Sequence, residues 1–332
     1  MIDLISTKAI KNIALVGISK NAGKTTLINA LIHNFPNQKW AVLSTGIDGE
    51  SEDRVYKTPK PLVNIFPGNL FCCDQQWIDF HAGAISILSC KQYAGRKLYI
   101  AKAESELKTQ ITGPSSVLHQ KDIIRHMHHL GANKVLVDGS LDRKSIALSD
   151  NINALILAVG ASFGSTEQII EELGRLRLLR DIAKADVNPY LCRKLKSSKF
   201  ILYKKTNTWQ NTHLCSLIHN EKDVITLLAE KPKLLYIPTS ITDSLFEAIG
   251  KAVEQSQTQL MIRHPECLKL NTINLKRFLA RIPTYCLIPF KLRAFALNST
   301  AVGKFPISAD SFRAEIRQAF PNEVFFDVME LQ

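Results

Sequence analysis

The apolar run Ile13-Ala14-Leu15-Val16 leads directly into GISKNAGKTT, residues 17–26, and no other stretch narrows the choice of fold as far. A short buried strand that ends on a glycine-bearing loop, with a helix opening at Lys24-Thr25-Thr26-Leu27, is built to cradle phosphate. Such a loop turns successive backbone N–H groups inward, so glycine is needed wherever a side chain or a negative φ would obstruct them. It also needs a helix N-terminus behind the phosphate, a lysine for the outer phosphates and a hydroxyl for magnesium. Gly17 and Gly23 meet the first need, and Asn21 and Ala22 are small enough for the turn. Lys24 would bridge the β- and γ-phosphates and Thr25 would ligate Mg²⁺, with Lys20 and Thr26 completing the nucleotide-binding set. The loop is one residue longer than G-x-x-x-x-G-K-[ST], because Ile18 stands where the first glycine would fall.

Alternation along the rest of the chain agrees with that start. Apolar or β-branched runs at 13–16, 40–43, 97–101, 135–137, 154–159, 200–203 and 234–237 read as strands. Helical patterns lie at 25–33, 117–130, 167–179 and 223–230. This predicts a doubly wound, mostly parallel α/β sheet. The continuous run ALILAV is expected to be a strand buried on both sides. After residue 240 the pattern continues: helices at 240–252, 273–280 and 308–319, extended segments at 259–262, 285–289, 292–297 and 324–326. The expected organisation is a nucleotide-binding domain over 1–240 and a smaller α/β part over 241–332, although the latter could instead dock as further strands of one sheet.

A nucleotide site needs carboxylates to order magnesium and water. Asp138 ends the apolar run KVLVD and is the stronger magnesium candidate. Asp48 and Glu50, in STGIDGE after the 40–43 strand, would hold Mg²⁺ through water or polarise the attacking water. Asp142 and Arg143 would meet the γ-phosphate or a substrate. Carboxyl ends of parallel strands are where open α/β sheets place ligands, which suits both groups. The competing readings make Asp48-Gly49 a plain turn and Asp142 a helix cap. No N-K-x-D segment is present to select guanine, which favours ATP. Residues 160–162 and 238–240, each following a strand, are further places where backbone could approach ligand.

Seven scattered cysteines without C-x-x-C spacing argue against a disulfide framework or structural zinc, and for thiols in a reducing compartment. The first residues lack a signal-peptide pattern and no run is long enough to span a bilayer, so a cytoplasmic protein without membrane insertion is expected. The net charge of +12 favours an anionic partner. Residues 175–205 concentrate that charge, either as a solvated helix-and-loop face or as a patch for an acidic partner; no nucleic-acid motif accompanies them and aromatic interleaving is thin. In HMHH, His126 and His129 could share a helix face as a metal pair, or sit favourably at a helix C-terminus.

The glycine spacing of G-I-S-K-N-A-G-K-T is similar to that of dethiobiotin synthetases, within the SIMIBI class of P-loop NTPases that also holds MinD and nitrogenase iron protein. In several of those relatives an early loop lysine reaches across a homodimer. Lys20 stands four residues before Lys24 rather than the five of the MinD-type pattern. Several stretches together (VGISKNAGKTT, STGIDGE, KPLVNIFPGNL, ITGPSS, VLVDGSLDRKS, LAVGAS and ITDSLFEAI) resemble the P-loop subunit of the reactivating system for lysine 5,6-aminomutase. The resemblance implies an ATP-driven protein that acts on a cobalamin-dependent aminomutase, exchanging damaged cobalamin or remodelling the enzyme, and the leading expectation is a Mg²⁺-dependent, slowly hydrolysing ATPase of that kind. The alternatives are a small-molecule ligase or kinase of dethiobiotin-synthetase type, and a non-catalytic nucleotide-dependent scaffold. The chain departs from the family at Ser140, where alanine is usual, at Asn298-Ser299 in place of an asparagine–proline pair, and at His264 in place of an acidic residue.

Overall fold

A computed structural model of the chain describes residues 2–45, 62–93, 95–140, 149–299 and 308–331. It divides into two compact units, Met1–Ile169 with Lys291–Gln332, and Ile170–Phe290. The chain therefore does not divide near residue 240. Its last segment rejoins the first unit because the apolar strand at Leu292–Asn298 pairs in parallel with the wholly buried ALILAVG strand.

The first unit contains strands β1 (Asn12–Gly17), β2 (Trp40–Ser44), β3 (Val63–Ile65), β4 (Leu70–Cys73), β5 (Ile85–Tyr93), β6 (Arg96–Ala103), β7 (Leu107–Thr109), β8 (Lys134–Ser140) and β9 (Ala154–Gly160). The second contains β10 (Leu202–Lys204), β11 (Trp209–Asn211), β12 (Leu234–Ile237), β13 (Ile241–Thr242), β14 (Gln259–Ile262), β15 (Leu268–Lys269) and β16 (Thr284–Cys286). Strands β17 (Leu292–Asn298) and β18 (Phe325–Asp327) return to the first. Ten α-helices are described: α1 (Ile2–Ser6), α2 (Lys24–Asn34), α3 (Gln75–Phe80), α4 (Val117–His129), α5 (Thr166–Arg180), α6 (Pro189–Ser197), α7 (Glu221–Ala229), α8 (Asp243–Ser256), α9 (Thr272–Arg281) and α10 (Ala309–Ala319). None is long and apolar enough to cross a membrane.

The large sheet runs β18-β17-β9-β1-β8-β2-β4-β6-β5. It is parallel from β18 to β4, and β6 and β5 close it in antiparallel fashion. The chain is thus α/β with a mostly parallel sheet. Residues 13–16 of β1 and all of β9 are buried, and each large aliphatic side chain there contributes about 1.5–3 kcal/mol. On α2, Leu27, Ile28, Leu31 and Ile32 form the buried stripe. Strand β5 has no single apolar face: its residues are half-buried or exposed, and a register shift interrupts it between Ile87 and Ser89.

The second unit has its own sheet, β11-β10-β12-β14-β16, with β12, β14 and β16 parallel and β10 antiparallel to β12. Its core joins Leu195, Leu202, Tyr236, Met261 and Leu287, and the buried Tyr236 hydroxyl donates to Leu195 O at 2.9 Å. Helix starts follow their caps: Asn188 accepts from Leu191 N–H before Pro189, Thr242 from Leu245 N–H, and Asn271 from Asn274 N–H. The departure at His264 has the same explanation. Its Nδ1 accepts from Glu266 N–H at 3.0 Å, the capping bond an aspartate would make. The side chain is only 3% exposed, and burial pushes its pKa down to about 3, so it remains a neutral cap.

Of the late α4 histidines, His128 bridges Ala132 O (2.8 Å) and Asn12 Oδ1 (2.7 Å), tying the helix end to the start of β1. Among the described residues no group of three His, Cys, Asp or Glu side chains could hold a metal ion. Cys72, Cys73 and Cys286 are buried thiols, whereas Cys90 and Cys215 are exposed. Burial, with nearby Asp74 as a lesser cause, pushes the Cys73 thiol up to about 12, and burial raises Cys72 well above its ordinary value. Iodoacetamide at pH near 8 is therefore expected to modify Cys90 and Cys215 first and the buried three only in denaturant. Mass mapping of the adducts checks this; early labelling of Cys72 would contradict it.

Candidate nucleotide site

The loop predicted to hold phosphate leaves the carboxyl end of β1, between β9 and β8 in the sheet. Ile18 N–H donates to Ala158 O at 2.9 Å, so the loop begins in register with β9. Asn21 then takes φ +59° and Gly23 φ +93°, two left-handed residues that fold the chain back over β1. An L side chain at Gly23 would carry about 1–2 kcal/mol of backbone strain and would also strike the Asn298 side chain.

Helix α2 starts at Lys24 with Gly23 as its N-cap, and no side chain caps it. Its first-turn N–H groups have no intrahelical acceptor, and the helix dipole makes that end favourable to an anion. Lys24 curls over the loop: a Cβ added at Gly17 would lie 3.1 Å from Lys24 Nζ and 2.7 Å from Ser19 O. Only glycine at 17 lets Ser19 O, Lys24 Nζ and Ala22 Cβ come this close to its Cα, so the loop packs tightly on itself there. Thr25 is half-buried beside it, Ala22 is buried, and Lys20 and Thr26 are exposed.

Neighbouring strand ends enclose this loop. Gly160, at the end of β9, packs so closely that a Cβ there would come within 2.8 Å of Ala22 Cα. Ser162 Oγ lies 3.4 Å from Ser19 Oγ and donates to Lys20 O at 3.3 Å. Asn298, at the end of β17, has its side chain against Gly23, and its carbonyl accepts from Ala161 N–H at 3.4 Å. The sequence suggested residues 160–162 as a ligand approach; the structure gives them a packing role against the loop. Residues 238–240 follow β12 and so belong to the second unit.

Asp138 lies in β8, half-buried, beside Leu15 on β1 and Ser44 on β2. It is thus at the end of the sheet that carries the loop. Thr45 N–H donates to Asp138 O at 2.8 Å, so the chain leading into STGIDGE starts next to it. Asp48, Glu50, Asp142 and Arg143 lie outside the described residues. The stretch ITGPSS buttresses the same end of β2. Ser44 N–H donates to Thr112 O at 3.1 Å, Gly113 fits directly against Ser44 O, and buried Gln120 donates to Pro114 O at 2.6 Å.

Sequence reasoning missed Asn298 as a neighbour of the loop. The available signal was an apolar run ending in a polar residue at the carboxyl end of a strand, as at Asp138. No protein-family model matches the chain, and no curated protein matches it.

Proposed function

We propose that this chain is a P-loop nucleotide-binding protein that takes ATP with Mg²⁺ and acts on a partner enzyme. A cobalamin-dependent aminomutase is the client that the family resemblance implies. The observation that carries the reading is the loop between β1 and α2. Left-handed residues at 21 and 23, a tight turn that only glycine at 17 permits, Lys24 Nζ folded over that turn and an uncapped helix N-terminus together suit a polyphosphate.

In this reading Lys24 neutralises the outer phosphates, Thr25 offers its hydroxyl to the magnesium, and Asp138 orders the ion's water shell. The bound metal supplies charge neutralisation at the phosphates. Asn298, against Gly23, and Gly160, against Ala22, hold the loop in its conformation. Asp48 and Glu50 are proposed to handle the attacking water, and hydrolysis without a client is expected to be slow.

The test compares Mg²⁺-dependent binding of ATP and GTP analogues to wild type and Lys24→Ala, with phosphate release followed in parallel. Wild type is expected to prefer ATP, and Lys24→Ala to lose at least about tenfold in affinity, because a charge-assisted bond to phosphate is lost. Binding of neither nucleotide, or no change in the variant, would overturn the proposal.

A further inference from the structure

Charge is unevenly shared between the two units. Ile170–Phe290 holds 19 Lys and Arg against 11 Asp and Glu, which is +8 of the chain's +12. Within it, residues 187–220 include six Lys and Arg and no Asp or Glu. This stretch is contiguous in space as well, because it forms α6 and the β10–β11 hairpin. Leu195 and Leu202 are buried in one cluster, with Leu191 and Trp209 packed against it.

Helix α6 turns Leu195 inward and leaves Tyr190, Arg193, Lys194 and Ser197 exposed, the spacing of a single helix face. Tyr190 is 72% exposed. Some cations elsewhere in the unit are matched, Arg175 with Glu172 at 2.7 Å, Lys269 with Glu266 at 3.0 Å and Arg281 with Glu254 at 3.3 Å, and acidic residues are interspersed there. On this face Lys205 reaches Glu230 at 3.1 Å, but Arg193, Lys194, Lys199 and Lys204 have no acidic partner among the described residues. Like charges gathered this way repel one another and oppose the compact state, a cost that an anionic partner would offset.

We infer that the face formed by α6 and the β10–β11 hairpin docks an acidic surface of a second protein. The inference rests on the partner-directed reading above, though not on the nucleotide loop. Charge complementarity calls for an anion, and the rest of the face selects which one. A single-stranded nucleic acid would use a row of bare rings for stacking, but Phe200 and Trp209 pack against the core, Tyr203 is half-buried with its hydroxyl bonded to Gln210, and Tyr190 is the one tyrosine of the face that stands well exposed. A bilayer would need an outward apolar stripe, and Leu195 faces inward. A second copy of this chain brings the same positive surplus. An exposed tyrosine beside Arg193 and Lys194, with no acidic residue in the stretch, fits a steered, transient protein contact.

Fluorescence anisotropy with labelled poly-L-glutamate, and with a single-stranded oligonucleotide of equal charge, tests this. Arg193→Glu/Lys194→Glu is expected to weaken peptide binding about tenfold, since several screened pairs turn repulsive. The control Lys8→Glu/Lys11→Glu makes the same change of charge at exposed positions of the first unit and is expected to cost under about threefold. Arg193→Gln/Lys194→Gln keeps the side-chain stems and should lose affinity in the same direction, covering the case in which charge reversal perturbs folding. Equal losses in the two Glu variants, or tighter binding of the oligonucleotide than of the peptide, would overturn the inference. Lys24→Ala should bind the peptide as wild type does, so a failure of the nucleotide reading and a failure of this one are separable.

Discussion

Replacing Gly160 with valine is expected to remove Mg²⁺-dependent binding of an ATP analogue while the chain stays folded. The reason is contact with backbone. A Cβ at 160 would lie 2.8 Å from Ala22 Cα and 3.3 Å from Ala22 C, and main-chain atoms cannot rotate away as a side-chain tip can. Ala22 belongs to the turn between Asn21 (φ +59°) and Gly23 (φ +93°), so a shift there displaces the backbone N–H groups leading into Lys24. Overpacking of this kind costs about 1–3 kcal/mol of stability. The loss of affinity should be larger than that suggests, because a phosphate cradle depends on placement to within a fraction of an ångström. Gly160→Ala should fall between wild type and valine. Isothermal titration with an ATP analogue beside thermal melting separates the two effects. Undiminished nucleotide binding in Gly160→Val would show that closure against β9 is irrelevant to the loop.

The loop itself was legible because its residues are neighbours in the chain: strand, glycines, lysine and helix start lie within residues 12–26. The β1 and β9 strands were legible for a similar reason, since continuous apolar runs have few places to go but a buried sheet. What local pattern cannot supply is the sheet each strand joins. Strands at 234–237 and 292–297 look alike in sequence, yet the first builds the second unit and the second pairs with β9. That is why a boundary near 240 was expected and the chain divides elsewhere. Asn298 illustrates the same gap. Nothing local ties it to Gly23; only the parallel pairing of β17 with β9 carries it there. His264 was read as a departure from an acidic position, while the physical requirement there is a capping acceptor, which its Nδ1 fulfils.

Arg313→Met is expected to be the most destabilising substitution outside the apolar core of the first unit. Asp327, at the end of β18, is 0% exposed, and its Oδ2 accepts from Ser299 Oγ at 2.6 Å and from Arg313 Nη1 at 3.2 Å. Removing the guanidinium takes the neighbouring positive charge away from a buried carboxylate, a change that costs about 3–5 kcal/mol when one partner of a buried pair is lost. The lower end is expected, because the Arg313 side chain retains 20% exposure and water already reaches it. Arg313 also contacts Asp310 at 2.5 Å and Glu330 at 3.7 Å, but those carboxylates are well exposed and either substitution to amide should cost under about 1 kcal/mol. Adding Asp327→Asn to Arg313→Met removes the buried charge and should recover part of the loss in a denaturant melt. A single variant as stable as wild type would sink the account, and so would a double variant weaker than the single. Ser299 follows Asn298, so the network also bears on the loop: in Arg313→Met, ATP-analogue affinity should fall along with stability, and adding Asp327→Asn should recover part of both together.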